Sequence, residues 1–355
     1  MSDTLSERQS TILRAVVFDY IERVEPVSSK VVSSKYAPYL SPASVRSVMA
    51  GLEERGYLFQ PHKSAGRIPT AKAFQFYVDS LVELREPSRA VKEMIMSGYN
   101  DALQFEEIMS ETSRLLSLVS HCAGIVLAPR LQTVRLDQIK FVKIGGGDIM
   151  VVLVSKVGTV QSYVIHVDED LGQNELDKMS NYLSSIAKGL TLIQLRRRIV
   201  EEMREERNLY NTLLSKGMKI GMEVVSESGR DDIYVDGTLN ILEQPEFSED
   251  IKKLKEIFRA FEEKSLLVRL LDKSVKSRGV HVNMGFEDGL DGMEGCSIVT
   301  ASYGNRENRL GTIGVIGPMR MNYPLVIPLV RYTSELLGDI FEKRGYGGVD
   351  NEVFI

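Results

Sequence analysis

Apolar positions fall mostly on a helical period over the first hundred and twenty residues and then, from Ala123, switch to the shorter period of strands. Ile12, Leu13, Val16, Val17, Tyr20 and Ile21 keep the 3.6-residue spacing and predict a first helix over Leu5 to Glu22. Pro26 breaks it, and Ser28 to Lys35 forms a short second helix. Ser41 is a good N-cap, and Pro42 at the first helical position loses only an N–H that has no intrahelical partner. Val45, Val48, Met49 and Leu52 then make one stripe for burial, and Gly56 stops the helix. Tyr57 to Gln60 has strand character, and Pro61 to Pro69 returns through a basic turn. Thr70 caps a further helix with Phe74, Tyr77, Val78 and Leu81 on one face, and Pro87 marks a boundary. Val91 to Val119 reads as two helices interrupted near Gly98-Tyr99-Asn100.

From Ala123 the pattern is that of an antiparallel sheet: Gly124 to Leu127, Ile139 to Ile144, Ile149 to Val154 and Val160 to His166, joined by tight turns. Gly145-Gly146-Gly147-Asp148 leads into a strand and lacks the Lys and Ser/Thr of a phosphate loop, so it reads as a hairpin turn. Helical spacing returns over Leu176 to Ile186, Leu192 to Leu214, Phe247 to Phe261 and Ser265 to Leu271, with Ile233 to Leu242 as a strand among them. Strands resume at Val280 to Met284, Cys296 to Tyr303 and Leu310 to Ile316, and a helix over Leu325 to Phe341 closes the chain. The simplest topology is one α/β domain, 88–168 with 279–355, interrupted by a mainly helical module at 169–278 and preceded by a head at 1–87.

The head's third helix is unusual on its outward side, which carries Ala43, Ser47, Ala50 and Gly51 with Arg46 on the flank. A solvated face normally fills with Lys and Glu. A helix entering a DNA major groove, roughly 12 Å wide, needs small and polar side chains instead. Three helices in this order followed by a hairpin have the layout of a helix-turn-helix with a wing, and Lys63 and Arg67 at the wing suit phosphates or the minor groove. A small helix packed under another domain and a plain solvated hairpin are the structural alternatives.

Charge supports the DNA reading only when taken locally. The chain of 355 residues has a net charge of −5. Residues 27–72 nonetheless hold seven Lys or Arg against Glu53 and Glu54, a local +5. An acidic body carrying a basic module fits a DNA-binding head. The Arg196-Arg197-Arg198 run is followed by Glu201, Glu202, Glu205 and Glu206 at pairing distances along a helix, and reads as a solvated face. Cys122 and Cys296 lie among apolar or small residues, no signal-like segment opens the chain, and no apolar run reaches the roughly 20 residues of a membrane span, so a cytoplasmic protein is expected. His62, His121, His166 and His281 are scattered with no metal or nucleophile motif; no catalysis, metal or cofactor is expected.

With these residues in place, the chain resembles the heat-inducible transcription repressor HrcA family over almost its whole length. The likeness is densest in Pro26-Val27-Ser28-Ser29, Leu52 to Leu58, Gln60 to Thr70 and Phe76 to Asp79, and again in Gly311 to Pro318 with Arg320-Met321-Asn322-Tyr323. Where that family has Thr-Ile-Arg-Asn in the third helix this chain has Ser44-Val45-Arg46-Ser47, and Ala73 and Gln75 replace a Gly and an Arg. An Asn can bond adenine bidentately and a Ser cannot, so the operator is expected to differ at one base pair per half-site. The resemblance implies an α+β multidomain protein: an N-terminal winged helix-turn-helix and a GAF-like antiparallel α/β domain interrupted by an inserted dimerising domain. It also implies a dimeric repressor of chaperone operons acting on an inverted-repeat operator in double-stranded DNA, with the GroEL chaperonin as a partner. The expected DNA contacts are Ser29, Lys30, Ser41, Ser44, Arg46, Ser47, His62, Lys63, Ser64 and Arg67. The alternative is a ligand-gated regulator with a small molecule in the GAF-like domain.

Overall fold

The computed structural model describes residues 4–81, 86–100, 103–129, 135–156, 158–167, 171–199 except 193 and 196, 232–248, 250–275, 279–284, 293, 295–304 and 309–344. The head consists of α1 (Glu7–Arg23), α2 (Ser29–Lys35), α3 (Pro42–Glu54), the hairpin β1 (Leu58–Phe59) and β2 (Ile68–Pro69), and α4 (Ala71–Asp79). Each helix begins where the sequence offers a cap. The Ser6, Ser28 and Ser41 hydroxyls accept from the N–H groups of Gln9, Val31 and Ser44. Ile12, Leu13, Val16, Val17, Val32, Val45, Met49, Leu52 and Phe74 are wholly or almost wholly buried as one core. α4 packs on α1 and β2 and also touches the strand Val280–Met284 of the body. Thr70 begins α4 without a side-chain cap: its hydroxyl donates instead to the carbonyls of Gly56 and Tyr57.

The body is built on two antiparallel sheets. The larger takes the order β7-β3-β10-β9-β8, from β3 (Ala123–Leu127), β7 (Ile233–Asp236), β8 (Val280–Met284), β9 (Cys296–Gly304) and β10 (Arg309–Pro318). α6 (Phe105–Ser120), which follows the short α5 (Arg89–Ser97), and α12 (Tyr323–Lys343) cover one face. The other face, with Ile125, Ile298 and Ile316, packs against α10 (Ile251–Glu262) and α11 (Lys264–Val275). Two shorter helices, α8 (Thr238–Leu242) and α9 (Pro245–Ser248), join β7 to α10. Helices on both faces bury the central strands throughout, which is why β10 reads as an unbroken run of apolar and small residues. Just past β10, the Arg320 guanidinium binds Glu246 and donates to Gln244, tying α9 to the sheet end. The Tyr323 hydroxyl, 2.7 Å from the Met319 carbonyl and 3.0 Å from the Ser297 hydroxyl, locks the turn into α12. Both residues belong to the dense C-terminal motif, whose role in this fold is packing. The head abuts this corner: the Tyr20 phenol of α1 is raised by burial and by Glu246, against a smaller opposing effect of Arg320.

The smaller sheet, in the order β4-β5-β6, joins β4 (Leu136–Gly145), β5 (Asp148–Ser155) and β6 (Val160–His166), and α7 (Gln173–Ala187) packs on it. The Ser180 and Ser184 hydroxyls accept from the Phe141 and Ile139 amides, so α7 is stitched to β4. The glycine run makes the expected hairpin turn: Gly145 pairs with Asp148, and Gly146 and Gly147 both have positive φ.

β3 and β4 follow each other with strand spacing and were expected in one sheet, yet they lie in different sheets. The neighbours Leu127 and Ile233 are paired, and the Ala128 N–H donates to the Asp232 carbonyl at 2.9 Å. The chain therefore leaves the main sheet after β3 and rejoins it at β7. The described residues between 128 and 232 thus lie between two strands of the main sheet, and they hold a smaller sheet as well as helices. α10 and α11, placed in the insertion by sequence, belong to the main sheet's packing. Strand period identifies a strand but not its partners, which are fixed by non-local pairing. One smaller expectation also changes: Ile233 to Leu242 is a strand only to Asp236 and then a helix. The long helix expected over Leu192 to Leu214 lies mostly outside the described residues, as does the pairing of Arg196 to Arg198 with Glu201 to Glu206.

Candidate nucleic-acid interface

α3 is held by its two ends. The Ser41 hydroxyl accepts from the Ser44 N–H at 3.1 Å and donates to the Ser44 hydroxyl at 3.0 Å. At the far end Gly56, at φ +74°, lets the Gly56 N–H reach the Glu53 carbonyl and the Tyr57 N–H reach the Leu52 carbonyl, both at 2.9 Å. This pair of bonds closes the helix and aims the chain into the hairpin. Val45, Met49 and Leu52 are fully buried beneath. Ser41, Ala43, Arg46 and Ser47 are exposed on the other side, Ser44 is half-buried, and a side chain added at Gly51 would meet nothing.

The hairpin that follows is short and stiff. Leu58 pairs with Pro69 and Phe59 with Ile68, and Val27 exchanges backbone hydrogen bonds with Arg67 at 3.0 and 2.9 Å. Gly66 permits that third strand, because a Cβ there would sit 2.5 Å from the Pro26 and Val27 carbonyl oxygens. The Gln60 amide donates to the Lys63 and Ala65 carbonyls and closes the loop, leaving His62, Lys63 and Ser64 exposed at its tip.

Not every expected contact has the same standing in this geometry. Lys30 on α2, Ser41, Arg46 and Ser47 on α3, and His62, Lys63 and Ser64 on the hairpin are exposed, with Ser44 half-buried among them. Ser29 is buried, its place on α2 turned toward the core. Arg67 is the clearest departure. Its guanidinium turns back onto α3 and donates to the Glu53 carboxylate at 2.9 Å, with the Arg67 side chain only 12% exposed. It fastens the hairpin to the helix rather than standing free at the wing. Pairing also lowers the available positive charge. Lys35 lies beside Asp19, whereas Lys30, Arg46 and Lys63 have no ion-pair partner among the described residues; Arg55 keeps its charge but is held by the Gln9 side chain and the Thr4 carbonyl. The Glu53 partnership, fourteen residues from Arg67, carries no periodic signal in the sequence. Two clefts on the body, each about 560–570 Å³, are open and share Arg114, Leu118 and Asp236; Arg114 is already engaged bidentately by Glu111.

Similarity to known proteins extends along almost the whole chain. The family described as "HrcA protein C terminal domain" matches residues 106–327. The heat-inducible transcription repressor HrcA of Geobacter sulfurreducens is 47% identical over 95% of this chain and 98% of its own length. That of Syntrophobacter fumaroxidans is 40% identical over 97% and 99%. A crystal structure described as a hypothetical protein at 2.2 Å resolution superposes with a TM-score of 0.63 at 20% identity, covering 96% of this chain and all of its own, and so shares the fold. No described helix is long and apolar enough to cross a membrane. A chain that matches its relatives from the head to the last helix belongs to the heat-inducible transcription repressor HrcA family.

Proposed function

We propose that this protein represses heat-shock chaperone operons by seating α3 in the major groove of an inverted-repeat operator, as a homodimer whose active fraction is set by the GroEL chaperonin. The observation that carries this reading is the exposed face of α3, made of Ser41, Ala43, Arg46 and Ser47 beside the Lys63 tip of a stiff hairpin. Small side chains allow close approach, Arg46 can reach a base edge, and Lys30 and Lys63 supply phosphate charge. In this reading the head is a winged helix-turn-helix, the five-stranded sheet with its helices is the GAF-like domain, and the insertion dimerises.

Support for the last point comes from the small sheet. α7 covers the face carrying Ile139, Phe141, Ile149, Val151, Leu153 and Ile165. On the opposite face Val142, Val160 and Val164 are 37%, 53% and 60% exposed, in register with half-buried Met150 and Val154, and half-buried Val152 lies between them with Lys140 and Ser162 on either side. A second copy laid on this face would remove them from water, and a two-fold dimer matches an inverted repeat. The chaperonin reading rests on topology as well as resemblance. β3 pairs with β7 and β10, so the main sheet closes only after residues far apart in the chain meet, and such folds expose apolar surface on the way. Unfolded clients would then compete for the chaperonin in heat, lower the active repressor and release the operons.

Footprinting of the purified protein on its own chaperone-operon promoters tests the DNA reading, with protection of both halves of an inverted repeat expected. Adding chaperonin to warmed or freshly diluted repressor should raise operator binding, and an unfolded competitor should lower it again. Full activity through the heat-shock range with no response to chaperonin would sink the feedback.

A further inference from the structure

Two tyrosines three residues apart flank the turn between α2 and α3, and the fold treats them in opposite ways. Tyr36 is anchored: its hydroxyl donates to Asp19 at 2.9 Å and its ring meets Phe18 edge-on at 6.1 Å. Tyr39 is 70% exposed, the most exposed large hydrophobic side chain among the described residues, and has no hydrogen-bond or ring partner among them. The backbone around it is nevertheless fixed. The Ala37 N–H donates to the Val32 carbonyl and the Leu40 N–H to the Ala37 carbonyl, both at 2.9 Å, while the Leu40 carbonyl accepts from the Ser33 hydroxyl at 2.6 Å. A rigid turn thus carries a bare aromatic two residues before Ser41, at the end of α3 that a helix-turn-helix directs toward the bases.

Resting on the DNA-binding reading above, we propose that Tyr39 is a backbone contact to the operator. Its hydroxyl donates to a phosphate oxygen and its ring covers the adjoining sugar at the edge of the groove that α3 enters. Tyrosine suits this task because two torsions place a large amphipathic surface at little entropic cost, and a hydroxyl bond to phosphate positions the protein without reading sequence. The contact is uncharged. It displaces no counterion, which separates it from the lysines.

The test uses the full-length protein, a duplex bearing the inverted repeat of its own chaperone-operon promoter, and a scrambled duplex. Tyr39→Ala should weaken binding to both duplexes by about five- to tenfold, the equivalent of one modest polar contact, with the slope of log affinity against log salt unchanged. Tyr39→Phe should lose only part of this. The chain has no tryptophan, so Tyr39→Trp places a single reporter at the site. Operator DNA should shield it from acrylamide quenching. Unchanged affinity in Tyr39→Ala, or loss of affinity while the tryptophan stays as quenchable as in free protein, would overturn the contact and leave the DNA-binding reading standing. Failure of the unaltered protein to bind either duplex would overturn both.

Discussion

The two sheets of the body solve the same problem differently. In β9 and β10 nearly every residue is buried, on both sides, whereas β5 alternates strictly between buried and half-buried positions. The larger sheet has helices on both faces; the smaller has α7 on one face and valines standing in water on the other. α3 is a third case, uncovered on a face of serines, alanine and arginine. A covered surface is a finished one. The two uncovered surfaces differ in chemistry, and under the proposed function each takes a partner of its own kind: a second copy for the valines, a polar groove for α3.

The sharpest way to break this comparison is inside the covered sheet. Ile313, with no exposed surface and partners on both neighbouring strands, should cost about 2–5 kcal/mol of folding stability as Ile313→Ala, read by denaturant unfolding. The counterpart on the open sheet is Val164→Lys. It should change folding stability by less than about 1 kcal/mol, since Val164 is already in water, yet shift sedimentation from dimer to monomer. A variant that stayed dimeric would move the interface off this face.

Smaller effects sharpen the polar surface. Arg46→Ala should lose on the order of 1–3 kcal/mol of operator affinity, with specificity relaxed at one base pair. Lys63→Ala should weaken all sequences alike and shallow the salt slope by about one. Arg67→Ala should behave otherwise, because its charge is spent on Glu53: about 1 kcal/mol of head stability is lost while the salt slope holds. An equal slope change in the Lys63 and Arg67 variants would return Arg67 to the wing. Smallest is the effect of thiol reagents. Burial pushes both Cys122 and Cys296 up to about 12, so near pH 8 the native protein should scarcely react, and denaturant should release both thiols.

Within the head nearly everything was legible in the sequence, because its determinants are local. Ser41-Pro42 starts α3, Gly56 ends it, and Val45, Met49 and Leu52 choose its buried face within thirteen residues. The fates of Ser29 and Arg67 were not, since burial of one depends on neighbouring helices and pairing of the other on Glu53 across the hairpin. Tyr39 is illegible for the same reason: an aromatic in a turn gives no periodic sign of whether it packs, as Tyr36 does, or stands free.

In the body the sequence by itself determined the strands, the Gly146-Gly147 turn and most of the helices, all set by short-range period and turn chemistry. Only the tertiary structure decided which strands share a sheet. Pairing of Leu127 with Ile233 and of Ile313 with Val126 joins residues more than a hundred positions apart, and nothing in a strand's own pattern names its neighbour. Among the described residues the same long-range pairing leaves one face of β4-β5-β6 without a covering helix, and burial, unlike period, belongs to the whole chain.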